Sequence, residues 1–176
     1  TVVEITYTQY PQIKNGLWNG FCLADWTSNQ GAALCSAPGN LYQNGGVYRE
    51  MAPVLEGENQ ENEPSLVMIP GEGEAGWVSG TFPPFTVSSG DFFYAWVGCI
   101  EGNPLCDVTF ELSYVNEDGT VVNLGTWQQK SDGEYEKAYV NLKSLVGQTI
   151  RLVLTVKNDG MSHEDVAFWL SPSIRH

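Results

Sequence analysis

Polar and apolar residues alternate along much of this chain. Val3, Ile5 and Tyr7 are separated by Glu4 and Thr6, so one face of an extended segment can be buried while the other meets water. The same period of two places Val108, Phe110, Leu112 and Tyr114 on one face, and Ile150, Leu152, Leu154 and Val156 on another. Residues 92–97 are apolar on both faces, the pattern of a strand covered on both sides. Near the end, Val166, Phe168 and Leu170 alternate with Ala167 and Trp169. The one helix-like segment is about a turn long, around 141–146, and Gly147 ends it.

Between these segments, Asp118-Gly119, Asp132-Gly133 and Asp159-Gly160 supply the positive φ that tight hairpins require. Antiparallel strands at roughly 8–12-residue spacing predict an all-β, antiparallel β-sandwich or jelly roll. The acidic run 56–63 reads as a solvated loop, and 71–74 as a corner. No repeat or linker divides residues 1–176, which predicts a single domain. A chain of that length buries roughly 70% of its unfolded surface, enough for a substantial core.

Charge narrows the partners. Eight Lys+Arg against 21 Asp+Glu leave a net charge of −13, which repels phosphate backbones and anionic membranes. Nucleic acid is therefore not expected, whereas divalent cations, neutral glycans and identical subunits remain. No apolar run approaches the roughly 18 residues needed for a bilayer span, so no membrane insertion is expected. Cys22, Cys35, Cys99 and Cys106 lack zinc-knuckle or redox spacing. The expected arrangement is two local bridges, Cys22–Cys35 and Cys99–Cys106, out of three possible connectivities. Bridges imply an oxidising compartment, and a chain starting at Thr1 without a leader reads as a mature secreted, extracellular or cell-surface protein.

The order of segments carries a resemblance. Residues 92–99 lead into 106–114, then Asp118-Gly119, Tyr139-Val140-Asn141-Leu142 with Gly147, 152–156, and Asp165-Val166-Ala167-Phe168-Trp169 with Pro172 and Ile174. This resembles the C-terminal part of galactose-binding-like jelly rolls, especially the NPCBM carbohydrate-binding modules. It is still more similar to a group of uncharacterised secreted bacterial β-sandwich domains, through Cys22 and Trp26, Gly98-Cys99, and a final Trp-x-x-Pro-x-Ile. The match covers residues 76–176 well and 1–75 loosely. Its motifs are turn glycines, core aromatics and cysteines, which specify a fold rather than an activity.

Candidate chemistry points away from catalysis. A Ser or Cys nucleophile needs an adjacent base, and the two histidines read as solvent-facing: His163 in a polar turn and His176 at the terminus. Nothing singles out a glycosidase pair among the 21 acids. The chain is expected not to be an enzyme. Family 6 and 35 carbohydrate-binding modules, which resemble this layout, hold a structural calcium between an acid on the first strand and an Asp on the last. The similar positions here are Glu4 and Asp165, the rival reading of Asp165 being a turn-capping side chain.

Sugar binding needs flat aromatic faces beside polar groups. Trp127, followed by Gln128, Gln129 and Lys130 and facing Tyr135 across a turn, is the leading expected platform. Trp18 and Tyr42, in Asn/Gly-rich loops, come next, whereas Trp26, Trp96 and Trp169 sit in apolar strand patterns and are expected in the core. Residues 1–8 form an alternating strand at the terminus, set apart by Pro11, and could exchange between subunits. The leading expectation is an extracellular, non-catalytic, carbohydrate-binding module with a structural calcium. The alternative is a self-assembling cell-surface or filament subunit joined through residues 1–10.

Overall fold

The period-two segments fold into two seven-stranded sheets. A computed structural model describes residues 11–37, 44–160 and 164–176. Numbering strands in chain order among these residues, the first sheet runs β14 (Glu136–Asn141), β11 (Phe92–Cys99), β16 (Ala167–Arg175), β8 (Ser65–Ile69), β5 (Gly46–Glu50) and β4 (Leu34–Cys35), with β1 (Ile13–Gly16) also pairing with β16. The second runs β13 (Val121–Lys130), β12 (Asp107–Val115), β15 (Thr149–Asn158), β9 (Trp77–Thr81), β2 (Asp25–Ser28) and β3 (Gly31–Ala32), with β10 (Phe85–Thr86) also on β15. A hairpin of β6 (Val54–Leu55) and β7 (Asn59–Gln60) stands apart from both. The pairing is antiparallel except between β4 and β5, which are parallel.

The inward faces follow the alternation. Phe93, Ala95 and Val97 of β11 meet Val108, Phe110 and Leu112 of β12 and Ile150, Leu152, Leu154 and Val156 of β15 in one core. Trp169 sits at its centre, fully buried, with Phe93, Phe110 and Trp127 edge-on to it at 5.8, 5.2 and 6.1 Å. Phe93 comes from its own sheet and the other two from the opposite sheet, so Trp169 joins the layers.

Connections match the expected turn chemistry in part. Gly119 and Gly133 adopt φ of 85° and 88°, and the predicted helical turn forms at Lys143–Leu145. Of the three expected hairpin turns only Asp118-Gly119 closes one, between β12 and β13. Asp132-Gly133 and Asp159-Gly160 stand in connections from one sheet to the other, where the chain need not fold back on its own strand, and Gly160 lacks the positive φ expected of it. Residues 161–163, His163 among them, and the strand expected over 1–8 lie outside the described residues. Both bridges pair as expected, Cys22–Cys35 and Cys99–Cys106. The second joins the last residue of β11 in one sheet to the residue just before β12 in the other. Each short loop closed in this way stabilises the fold by about 2–3 kcal/mol on the chain-entropy argument.

Candidate functional site: an aromatic cleft on the outer face of one sheet

The alternation that sends Phe93, Ala95 and Val97 inward sends Phe92, Tyr94 and Trp96 outward, where each is only half-buried. In β11, Tyr94 stands opposite Tyr139 of β14 and Ser173 of β16, and Trp96 opposite Lys137 and Leu170. A bulge in β16 between these rows holds Ser171 at φ 51°. Trp96, expected in the core, therefore lies on the opposite side of the sheet from Trp169. Its pattern was apolar on both faces, but only one of those faces is covered by a second sheet.

Part of this outer face is roofed by the chain between β5 and β8. Leu55 from that segment packs with Phe168 and Leu170, and Trp96, Ile100 and Tyr135 flank the cluster. Glu56 anchors the roof. The acidic run was expected to be solvated, yet Glu56 is buried, and its carboxylate accepts from the backbone N–H of Cys99 at 2.8 Å, Asp132 at 2.9 Å and Gly133 at 3.0 Å. Those donors stand in for the water it gives up. One side chain thus ties the roof to the end of β11 and to the turn before Tyr135. Gly98 makes the fit possible, because a Cβ there would lie 2.7 Å from Tyr135 Cβ and 2.8 Å from Glu56 Oε1.

The result is a cleft of about 230 Å³ between Glu61 and Glu63 on the roof, Tyr94 and Trp96 on β11, Tyr135, and Arg175 on β16. Its side chains are held by one another. The Trp96 indole N–H donates to the Tyr94 hydroxyl at 2.9 Å, and the Trp96 and Tyr135 rings meet edge-on at 5.7 Å. The Arg175 guanidinium lies 3.9 Å over the Tyr94 ring and donates to Ser173 and Ser171. Burial, with the Glu61 carboxylate beside it, pushes the Tyr135 hydroxyl above its ordinary value, so it stays a neutral donor.

Of the four expected sugar-binding residues, Tyr135 is in this cleft. Trp127 is not. Its ring packs on Trp169 and lies over Gly125, where a Cβ would come within 2.5 Å, so it is part of the core boundary and the Trp127–Tyr135 platform does not form. Trp18 packs on the core too, with its ring over Gly16. Tyr42 lies outside the described residues. Tyr94, Trp96, Arg175, Glu61 and Glu63 were not among the residues expected to bind sugar: Trp96 was expected in the core, and Glu61 and Glu63 in a solvated loop. The available signal was Phe92, Tyr94 and Trp96 at every second position, an all-aromatic face behind Phe93, Ala95 and Val97.

The carboxylate expected to bind metal shows strain of its own. Asp165 is buried; its Oδ1 accepts from the Asp107 N–H at 3.1 Å, while Oδ2 has no hydrogen-bond partner among the described residues. Burial, then the neighbouring Asp107 and Asp159 charges, push it up to about 6. Glu4 lies outside the described residues, and among those described no group of three or more His, Cys, Asp or Glu residues converges. The expected solvent exposure of His176 is met, and its ring reaches Asp91 at 3.2 Å. Asp91 is buried, which alone would raise it, but donors from Lys14, Ser88 and His176 outweigh that and hold it below the usual carboxylate range.

Comparison with solved structures gives the fold. A family 61 carbohydrate-binding module, solved with β-1,4-galactotriose, superposes with a TM-score of 0.54 at 12% identity, covering 92% of this chain and 94% of that one. A family 51 module from Clostridium perfringens GH95, solved with methyl-galactose, gives 0.52 at 15% identity, covering 90% and 97%. No protein-family model and no curated protein matches the chain in sequence. The chain therefore has the jelly-roll fold of carbohydrate-binding modules, as its segment order led us to expect. At such identities the likeness is one of fold.

Proposed function

We propose that this protein is a non-catalytic module that binds a neutral carbohydrate in the Tyr94–Trp96–Tyr135–Arg175 cleft. One observation carries the reading: aromatic rings stand half-buried on the outer face of a sheet, beside Arg175, Glu61 and Glu63, with no second sheet over them. Sugars present apolar C–H faces ringed by hydroxyls. The rings suit the first, and the guanidinium, carboxylates and Tyr135 hydroxyl suit the second. The sugars bound by the two modules of the same fold support the reading, as do the two disulfides for an extracellular setting.

The structural calcium belongs to the same proposal. A buried carboxylate with an unpartnered oxygen suits a hard cation, which would offset the charge of Asp165 at the edge of β16. Asp165 would supply one ligand, and Glu4 is the second by resemblance.

Affinity electrophoresis against neutral polysaccharides, including β-1,4-galactan, tests the function with and without calcium. Retention is expected for at least one of them, and Trp96→Ala is expected to weaken it about tenfold or more, as truncation of a central aromatic does. A wild-type protein retained by none of them, calcium present, removes the proposal.

A further inference from the structure

The cleft is not the whole depression. Trp96 and Tyr135 also line a second hollow of about 630 Å³, with Gln128, Gln129 and Lys130 of β13, Asp132 and Glu134 of the turn, and Lys137 of β14. Trp96 and Tyr135 line both, so the two hollows share a wall. We infer that the second hollow continues the first, and that the ligand is the interior of an extended, uncharged polysaccharide chain laid across the Trp96–Tyr135 wall. This rests on the carbohydrate reading above and adds to it the length and charge of what is bound.

Size is the first argument. Ligand pockets commonly measure about 300–1,000 Å³. At about 230 Å³ the aromatic cleft falls short of that range by itself, whereas the adjoining hollow of about 630 Å³ lies well inside it. Lining chemistry is the second. Beyond the shared wall, the second hollow offers amides, ammonium groups and carboxylates, which exchange hydrogen bonds with hydroxyls in either direction. The Gln129 amide already donates to the Glu136 carboxylate at 3.3 Å and to the Gln128 carbonyl at 2.7 Å, which fixes its orientation along the hollow.

Charge is the third. Glu61 and Glu63 face Arg175 on one side of the wall; Asp132, Glu134 and Glu136 face Lys130 and Lys137 on the other. Lys130 is further engaged by Asp107 at 3.0 Å. Acids outnumber bases on both sides, in a protein of net charge −13, so a uronic-acid chain meets an excess of like charge on each side of the wall.

Isothermal titration with β-1,4-galacto-, xylo- and cello-oligosaccharides of one to six units tests this, each with its reducing end free or borohydride-reduced. In the series that binds, affinity is expected to rise at least tenfold from the disaccharide to the longest chains and to be indifferent to end reduction. The double variant Gln128→Ala/Lys137→Ala should flatten that rise, lowering hexasaccharide affinity by a larger factor than disaccharide affinity, and polygalacturonate should not be retained. A disaccharide as tight as the hexasaccharide, dependence on the chain end, an unflattened rise in the double variant, or retention of polygalacturonate overturns the inference. In each of those cases the carbohydrate reading stands if Trp96→Ala still weakens retention by about tenfold or more. No binding in any series overturns the inference too, and if polysaccharides are also not retained, the carbohydrate reading falls with it.

Discussion

On the outer face of the second sheet, Ser79 and Thr155 share a hydrogen bond at 2.8 Å, Lys157 reaches Glu111 at 2.6 Å, and Arg151 reaches Asp25 at 2.6 Å. On the outer face of the first sheet, β11 places Phe92, Tyr94 and Trp96 in the same positions relative to the core. Both faces belong to strands that bury alternate residues against Trp169 and its neighbours. The first is the usual outcome of alternation, with polar groups that need nothing but water. The second keeps large rings where burial would ordinarily be required, and a roof anchored by Glu56 shapes the space in front of them. Exposed singly, such rings need no explanation; grouped beside charged side chains in a cleft, they are the observation on which the proposed binding rests.

The sharpest way to separate the two sides of the first sheet is a pair of tryptophan truncations. Trp169→Ala should cost about 3–5 kcal/mol of stability in urea unfolding, because it opens a hole where both layers meet. Trp96→Ala should lose far less stability and most of the glycan retention. Equal stability losses with retention intact would erase the distinction between the faces.

Glu56→Ala comes next. It leaves the N–H groups of Cys99, Asp132 and Gly133 without their acceptor, a loss of about 3 kcal/mol, and frees the roof and the Tyr135 turn. Retention should fall along with stability, and Glu56→Gln, which keeps an acceptor oxygen, should recover part of both.

Asp165 gives a comparable effect that depends on pH. Its folded value of about 6 lies above the 3.8 of the free side chain, so the folded state holds its proton more tightly than the unfolded one. In EDTA, its contribution therefore becomes unfavourable as pH rises from about 4 to about 6, by at most roughly 3 kcal/mol. Asp165→Asn should remove that trend and be the more stable protein at pH 7 in thermal melts. Added calcium should raise the wild-type melting temperature and leave the variant unchanged. Asp91 acts in the opposite sense: held below its ordinary value, it supports the fold above about pH 4 and loses that support as the solution becomes more acidic.

The smallest effect belongs to the polar face. Thr155→Ala should change stability by no more than about 0.5 kcal/mol and leave glycan retention untouched. A loss of retention there would move the binding surface to the wrong sheet.

Much of the fold was legible because the signals are local. Alternation at Ile150, Leu152, Leu154 and Val156 needs only the pleat, the Asp118-Gly119 hairpin turn needs only φ, and each bridge closes a short loop between cysteines near each other in sequence. The site was less legible. Trp127 and Tyr135 are close in sequence, and that proximity was the reason to pair them, but β13 and β14 belong to different sheets, so Trp127 packs on Trp169 in the core while Tyr135 packs on Trp96 outside it.

What the sequence by itself determined is which residues alternate, where the chain turns and which cysteines can meet. Tertiary structure alone decided which face of β11 is covered by the opposite sheet and which is left to form a cleft. It also decided that Glu56 is buried, since its three backbone donors lie 43, 76 and 77 residues away along the chain. A period of two defines two faces for every strand; only the placement of that strand among the others determines what each face meets.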